Sequence, residues 1–165
     1  MTILTMIVTQ ANIKAMTLRY EVPEISVADA KAKLPEVLEE ARRHQPQLIS
    51  RRGRDLVALL ALDDAQQVLG SFRFQTEVHL AKGEVTVALP QFELIGIGES
   101  VDAAAEDALD KLREYAAHYL KRASFYRETN RRDLYPLVLR FVLTPREQQH
   151  ELLLEDPDEV GAASA

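Results

Sequence analysis

Hydrophobic and polar residues in the first 70 positions alternate in short blocks that predict three strands and three helices. These elements follow one another in the order β-α-α-β-β-α, over residues 17–22, 27–33, 35–44, 47–50, 56–62 and 63–70. Ser26 stands as an N-cap before the first helix, and Pro35 ends that helix while opening the second. Gly53 supplies the backbone freedom that a hairpin turn needs. Three apolar residues of the second helix are expected to face the core: Val37, Leu38 and Ala41.

After residue 71 the pattern changes to alternation over longer stretches, and four strands are predicted, over residues 72–80, 85–89, 93–97 and 137–143. Between the third and fourth strands, a stripe of apolar residues at helical spacing predicts the longest helix, over residues 101–122, with Ser100 as its N-cap. Residues 144–147 match a capping box with proline at the first helical position, so a short helix is expected to about residue 154. The acidic tail from residue 156 is expected to be disordered.

The composition is that of a soluble globular protein, since 47% of the 165 residues are hydrophobic. The chain contains no cysteine, which excludes disulfides, thiolate metal ligands and cysteine nucleophiles and fits a reducing cytoplasm. The first 15 residues have neither a cationic leading region nor a long apolar run, so we expect no signal peptide and no membrane span. A cytoplasmic protein of one ordinary domain or two small ones is predicted.

Charge is distributed unevenly along the chain, whose formal net charge is −6. Residues 1–70 carry nine basic and nine acidic side chains, whereas residues 71–165 carry 11 and 17. Within residues 25–54 the balance is positive, with seven basic side chains against four acidic ones, and Arg51, Arg52 and Arg54 surround the hairpin turn. Clustered positive charge on an acidic chain indicates a specific surface for a polyanionic partner.

No set of residues predicts catalysis or a cofactor. The glycines of residues 95–100 lack the third glycine of a dinucleotide fingerprint, and Glu99 would repel a pyrophosphate. The four histidines lie on separate predicted elements without metal-ligand spacing: His44, His79, His118 and His150. The acidic residues of the long helix fit its solvated side, and no serine lies in a nucleophile elbow. We therefore expect no enzyme, no metal and no cofactor.

Residues 17–71 resemble the prevent-host-death (Phd/YefM) antitoxins in the type, order and spacing of their motifs. The matching positions are Ser26, Ala30, Lys31, Lys33, Leu34, residues 50–54 (Ser-Arg-Arg-Gly-Arg), residues 57–60 (Val-Ala-Leu-Leu) and Asp63. Two positions depart from the family, because Lys31 stands where arginine is common and Pro35 replaces a frequent serine. The resemblance implies a domain that dimerises through its sheet and presents a basic surface from each subunit to palindromic operator DNA.

The residues that this resemblance implies as DNA contacts are Ser26, Lys31, Lys33, Arg51, Arg52 and Arg54. Their chemistry agrees with that role. Residues in the first turns of a capped helix and a nearby cationic hairpin can hold phosphates, and arginine can also form two hydrogen bonds to a guanine edge. A dimer would double these contacts and set the spacing of the half-sites.

Residues 72–121 resemble the HicB-like antitoxin domain, which has three strands followed by a long alanine-rich helix. The matching run is Gly98-Glu99-Ser100 and the alanine-rich residues 101–109. The usual Pro-Gly-Cys before the helix is replaced by Leu94-Ile95-Gly96. The resemblance implies that this domain binds a toxin, and its negative charge suits a small basic RelE-like ribonuclease.

The sequence therefore predicts an α+β protein with four segments: an N-terminal extension (1–16), a Phd/YefM-like domain (17–71), a βββαβ HicB-like domain (72–144) and a C-terminal helix with an acidic tail (145–165). The predicted function is that of a type II antitoxin, a homodimer or larger, that neutralises a cognate toxin and represses its own operon. The alternative is a toxin- or ligand-binding module that does not bind DNA, its arginines being ordinary surface charge.

Overall fold

The computed structural model describes residue 22 and residues 24–52, 55–81 and 83–154. The chain divides into two units, Met1–Ala61 and Leu62–Ala165. The predicted strand over residues 17–22 and the predicted disordered tail from residue 156 lie outside the described residues or at their margin. None of the helices among the described residues combines the length and the apolar character that a membrane crossing requires.

The first unit contains a three-stranded sheet and two short helices. Its elements are β1 (Glu24–Ser26), α1 (Val27–Ala32), α2 (Leu34–Arg42), β2 (Gln47–Arg51) and β3 (Asp55–Leu59). The strand order is β1-β2-β3, with β1 parallel to β2 and β3 antiparallel to β2. The predicted pair of helices and the predicted hairpin are confirmed. The strand that precedes α1 is β1, which the sequence analysis did not predict.

The core of the first unit is small. Among its described apolar residues, Ala30, Val37 and Ala41 are buried, whereas Leu38 is 49% exposed. Val37 and Ala41 are four residues apart and so lie on one face of α2, while Leu38 lies about 100° around the helix from Val37. The prediction that Leu38 faces the core is therefore wrong for this chain taken alone.

The second unit contains an antiparallel sheet of order β4-β5-β6. Its strands are β4 (Glu77–Ala81), β5 (Glu84–Leu89) and β6 (Leu94–Gly98). Its helices are α3 (Leu62–Leu69), α4 (Val101–Lys121), α5 (Ala123–Tyr126), α6 (Tyr135–Leu143) and α7 (Gln149–Leu154). Three single 3₁₀ turns complete the unit, over Pro90–Phe92, Arg132–Leu134 and Arg146–Gln148.

The helix α4 packs across β5 and β6 and forms the core with them. Its buried residues recur at helical spacing, as predicted: Ala104, Ala105, Ala108, Leu109, Leu112, Ala116 and Tyr119. The alternating residues Val85, Val87 and Leu89 of β5 are buried beneath it, also as predicted. Ser100 caps α4, since its Oγ accepts a hydrogen bond from the Ala103 amide at 3.2 Å.

Two glycines of β6 allow α4 to lie directly on the strand. A Cβ at Gly96 would overlap the carbonyl oxygen of Ala104 and the amide nitrogen of Ala108, and a Cβ at Gly98 would overlap the backbone of residues 103 and 104. The backbones of strand and helix therefore approach more closely than any residue with a side chain would permit.

The strand predicted over residues 72–80 begins only at Glu77. Phe72 and Phe74 do fall on one side of the alternating pattern, but Phe74 packs in an aromatic cluster instead of a strand ladder. Its ring stacks on Phe92 at a centroid distance of 5.8 Å and meets Phe141 edge to face at 6.4 Å. Aromatic packing therefore takes this segment out of the sheet.

The fourth strand predicted over residues 137–143 is wrong, because this segment is the helix α6. Leu137, Val138 and Phe141 are buried at helical spacing, and Pro136 lies in the first turn, where a helix tolerates it. A short apolar run with a single charge is compatible with both a buried strand and a buried helix. The second unit is therefore not βββαβ. It is a three-stranded sheet with five helices among the described residues.

The division between the units falls before α3, ten residues earlier than the predicted boundary at residue 71. The helix α3 packs on α6, and the Gln66 amide donates a hydrogen bond to the Leu143 carbonyl at 2.8 Å. Leu69 is buried in the same unit. The last helix of the predicted first domain thus completes the second unit.

The capping box predicted at residues 144–147 is replaced by a different arrangement. Thr144 Oγ1 donates a hydrogen bond to the Arg140 carbonyl at 2.9 Å and so closes α6. A 3₁₀ turn over Arg146–Gln148 then leads into α7. The C-terminal helix is present, but Thr144 belongs to the helix before it.

Replacing Gly96 with alanine is expected to destabilise the second unit by about 3 kcal/mol, because the added carbon meets backbone atoms that cannot rotate away. Urea denaturation followed by circular dichroism measures the change. Gly83→Ala is the control, because no atom lies within 4 Å of its Cβ position and only the cost of φ +80° remains, about 1 kcal/mol. Equal effects of the two substitutions would contradict the close approach of α4 and β6.

Candidate nucleic-acid interface

The parallel pairing of β1 and β2 determines where the basic hairpin lies in the first unit. Ser26, the last residue of β1, is the Cα partner of Ser50, and Arg51 follows directly. Paired parallel strands run in the same direction, so their C-terminal ends lie side by side. The start of α1 and the cationic end of β2 are therefore neighbours. Ser26 and Arg51, which are 25 positions apart in the chain, are thus brought to the same end of the sheet.

Ser26 has a structural role in this arrangement. Its Oγ accepts a hydrogen bond from the Asp29 amide at 3.1 Å and donates one to the Asp29 carboxylate at 2.6 Å. The predicted N-cap is confirmed, and it places α1 directly after β1. The Asp29 carboxylate lies at the N-terminus of this six-residue helix, where it offsets the positive end of the helix dipole.

Four of the predicted contact residues are exposed cations: Lys31, Lys33, Arg51 and Arg52. No ion pair involves them within the part of the chain that the structure describes. Lys31 lies in the last turn of α1, and α1 is only about 9 Å long. Arg52 begins the hairpin turn with φ 55°, in the left-handed region. Arg51 is the Cα partner of Asp55 in the β2–β3 ladder, so an acidic residue lies directly across the hairpin from this cation.

Lys33 and Arg54 stand apart from this group. Lys33 lines a cleft of about 480 Å³ in which the other charged side chains are acidic: Glu24, Asp29, Glu36 and Glu40. Four carboxylates around one ammonium group make this cleft unfavourable for a phosphate. Arg54 lies outside the described residues.

Arg42 and Arg43 are also exposed, but their charge is compensated by Glu39. The Arg42 Nε donates to Glu39 Oε2 at 3.0 Å, and the Arg43 Nε donates to Oε1 at 3.1 Å. The hydrogen bond from Arg42 holds the pKa of the Glu39 carboxyl below its ordinary value. These two arginines are thus less available to an anionic partner than Arg51 and Arg52.

A set of exposed apolar residues in the first unit was not predicted as a functional feature. Its members lie on α2, on β3 and just after β3: Leu34, Leu38, Leu56, Val57 and Leu60. Leu56 and Val57 are consecutive in a strand, so both faces of β3 expose an apolar side chain. The signal was present in the sequence, because an unbroken apolar run in a strand indicates that both of its faces are to be covered.

The acidic side chains of the second unit follow the exposed side of α4, as predicted. Several are engaged within the helix: Glu106 and Asp110 bind Arg113 at 2.7 and 2.6 Å, and Asp107 binds Lys111 at 2.8 Å. Glu99 and Glu114 are exposed. No ion pair involves either of them among the described residues.

Comparison with known proteins gives one family and one fold. A family model, PHD_like, described as the antitoxin of RelE/RelB toxin–antitoxin systems, matches residues 22–155. No curated protein matches the chain. Among solved structures, the chain is similar to one described as an antitoxin part of a proposed toxin/antitoxin system from Syntrophomonas wolfei subsp. wolfei, with a TM-score of 0.69. The two share 18% identity over 79% of this chain and 95% of that one, so the likeness shows a common fold.

Proposed function

Because this chain belongs to the PHD-like family of antitoxins of RelE/RelB toxin–antitoxin systems, we propose that it neutralises a cognate toxin by binding it and represses its own operon by binding DNA. The first unit is assigned a Phd/YefM-like role in DNA binding and dimerisation. The second is assigned a HicB-like role in binding the toxin. Both partners are encountered in the cytoplasm.

The proposed DNA contact is supported chiefly by the parallel pairing of β1 and β2, which brings α1 and the basic hairpin to one edge. Lys31, Arg51 and Arg52 are exposed there, and none of the described side chains forms an ion pair with them. Their charges attract the phosphates of a duplex, and arginine can in addition read guanine. In this proposal Ser26 acts by positioning α1, Arg54 extends the hairpin contact, and Lys33 contributes least.

The proposed homodimer is supported by the thin core of the first unit. Among the residues of this unit that the structure describes, few apolar side chains are buried, whereas Leu38, Leu56 and Val57 are each about half exposed or more. A unit of this size does not reach ordinary stability with so small a core. Covering these side chains with a second copy would remove apolar surface from water and place two basic hairpins on one assembly.

The proposed toxin contact is supported by the charge of the second half of the chain, which carries 17 acidic and 11 basic side chains. A negative surface attracts a small basic ribonuclease and accelerates its association. Neutralisation then requires only that the antitoxin cover the active surface of the toxin, with no chemistry in this chain.

The acid-lined cleft around Lys33 favours a second candidate function. In this alternative the first unit binds a cationic ligand or toxin segment and does not contact DNA. A salt-dependent gel shift with the promoter fragment of its own operon distinguishes the two, because only DNA binding retards the fragment.

Substituting Lys31→Ala and Arg51→Ala together is expected to weaken binding to the promoter fragment about tenfold or more at fixed salt. A dimer would lose four phosphate contacts, so the slope of log K against log salt falls by about 3 to 4. Gel-shift titrations at several salt concentrations measure both quantities. The matched control is Lys121→Ala with Arg127→Ala, which removes the same charge from exposed positions of the second unit. If both pairs of substitutions weakened DNA binding equally, the effect would come from net charge and not from these positions.

Val57→Asp is expected to raise the dissociation constant of the homodimer about tenfold or more, because the new carboxylate would be buried without a partner. Sedimentation equilibrium measures the constant. Val68→Asp is the matched control, since Val68 is 70% exposed on α3 and Val57 is 62% exposed on β3. A dimer that tolerates Val57→Asp as well as Val68→Asp would place the subunit contact elsewhere.

Glu99→Gln with Glu114→Gln is expected to slow association with the toxin encoded by the neighbouring reading frame about threefold at low salt. Stopped-flow mixing of the two purified proteins measures the rate. Glu36→Gln with Glu40→Gln changes the charge equally in the first unit and is expected to leave the rate unchanged. The opposite result would make the cleft around Lys33 the toxin site.

A further inference from the structure

The strand β4 occupies one edge of the second sheet and is exposed along its whole length. All five residues of Glu77–Ala81 are exposed, on both faces of the strand. It pairs with β5 on one side, and no other strand pairs with it among the described residues. Its other side therefore presents backbone N–H and C=O groups that no described strand pairs with.

The opposite edge of the same sheet, at β6, is closed by side chains of α4. The Ile97 amide donates to Asp107 Oδ2 at 2.8 Å, and Lys111 Nζ donates to the Ile95 carbonyl at 2.7 Å. The hydrogen bond from Lys111 holds the pKa of the Asp107 carboxyl below its ordinary value, so this acceptor stays charged. Within the described ranges, no side chain makes an equivalent bond to the backbone of β4.

The sequence of β4 offers little of the protection that proteins usually give an edge, because its one carboxylate, Glu77, lies at the end of the strand. Within Glu77–Ala81 there is no proline, lysine or arginine. Val78 and Leu80 are instead exposed, at 44% and 76%. Both lie on the α4 side of the sheet, because their partners in β5 are the buried Val87 and Val85.

The position of α4 explains why Val78 and Leu80 are uncovered. The helix contacts β6 most closely, across Gly96 and Gly98, and β5 less. Its width of about 10 Å spans two strands spaced about 4.8 Å apart, and the third strand lies beyond its reach. The apolar face of β4 is thus a direct result of the glycine contact.

We infer that β4 pairs antiparallel with β4 of a second copy of this chain and joins the two sheets into one of six strands. Residues that face each other in an antiparallel pair lie on the same face of the sheet. Only registers that keep Val78 and Leu80 of both copies on one face are therefore allowed. The register centred on His79 pairs all five residues of each strand. It sets Val78 against Leu80 of the second copy and Glu77 against Ala81.

This register favours a second copy as the occupant over an unrelated strand. Each exposed apolar side chain meets an apolar one, and no two carboxylates oppose each other, so the strand is complementary to itself. Neighbouring registers leave residues unpaired at both ends and oppose Val78 to Val78 or Leu80 to Leu80. A pair of five-residue strands covers less than a standard interface, so the contact is weak and reversible.

Cysteine crosslinking tests the pairing in the full chain, which has no cysteine of its own. In the proposed register the two His79 Cα atoms lie about 4.5–5.5 Å apart, within the range of a disulfide. His79→Cys is therefore expected to form a covalent dimer under mild oxidation. Ile97→Cys is the matched control, since Ile97 is 50% exposed on the closed edge, and it is expected to form no disulfide-linked dimer.

Three further variants test the register and its apolar basis. Glu77→Cys and Ala81→Cys are each expected to crosslink poorly alone but to form a mixed disulfide when combined. Adding Leu80→Lys to His79→Cys is expected to reduce crosslinking at least tenfold, because it places an inward charge at the edge. Because these readouts involve neither DNA nor toxin, the inference stands or falls independently of the proposed function. The inference would be overturned if His79→Cys formed no disulfide-linked dimer, or if positions 79 and 97 crosslinked equally.

Discussion

The contact between α4 and the glycines of β6 is the constraint on which the second unit depends. At Gly96 and Gly98 the strand has no side chains, so the helix rests on backbone and its alanines fill the space that remains. This position buries the alternating face of β5 and brings Asp107 and Lys111 within reach of the β6 backbone. It also leaves β4 uncovered. One close approach therefore sets the core, the closed edge and the open edge of the same sheet.

The first unit is organised by charge and strand direction more than by its core. Over residues 24–52 and 55–61, few apolar side chains are buried and the sheet has three short strands. The parallel pairing of β1 and β2 nevertheless determines which residues become neighbours, because it brings the start of α1 beside Arg51. Glu39 compensates Arg42 and Arg43 at the end of α2. The exposed cations of α1 and of the hairpin have no such ion pair among the described side chains.

Much of the fold could be predicted where one residue pattern fits one structure. The stripe of α4 and the alternation of β5 are long and regular, and both were predicted correctly. The segment of α6 was misread because its apolar run has no polar residue to reveal a period except Arg140, and that arginine is itself buried. Phe74 was misread because its ring packs with Phe92 and Phe141, a contact between distant segments that alternation does not report.

The candidate site was partly visible in the sequence. The Ser26 cap and the arginine hairpin are local patterns, and the structure contains the cap and the strands of the hairpin. The pairing of β1 with β2 joins residues far apart in the chain, so no local pattern could reveal it. The acidic surroundings of Lys33 likewise arise from residues on β1, α1 and α2 together.

The buried guanidinium of Arg140, on α6, connects that helix to the segment that follows α3. It donates a hydrogen bond to the Phe72 carbonyl at 2.7 Å, while Gln66 in the preceding helix bonds to the Leu143 carbonyl. Separation of α3 from α6 would break the Gln66 bond and expose Leu69. Local opening at this end is therefore expected to involve α6 as well.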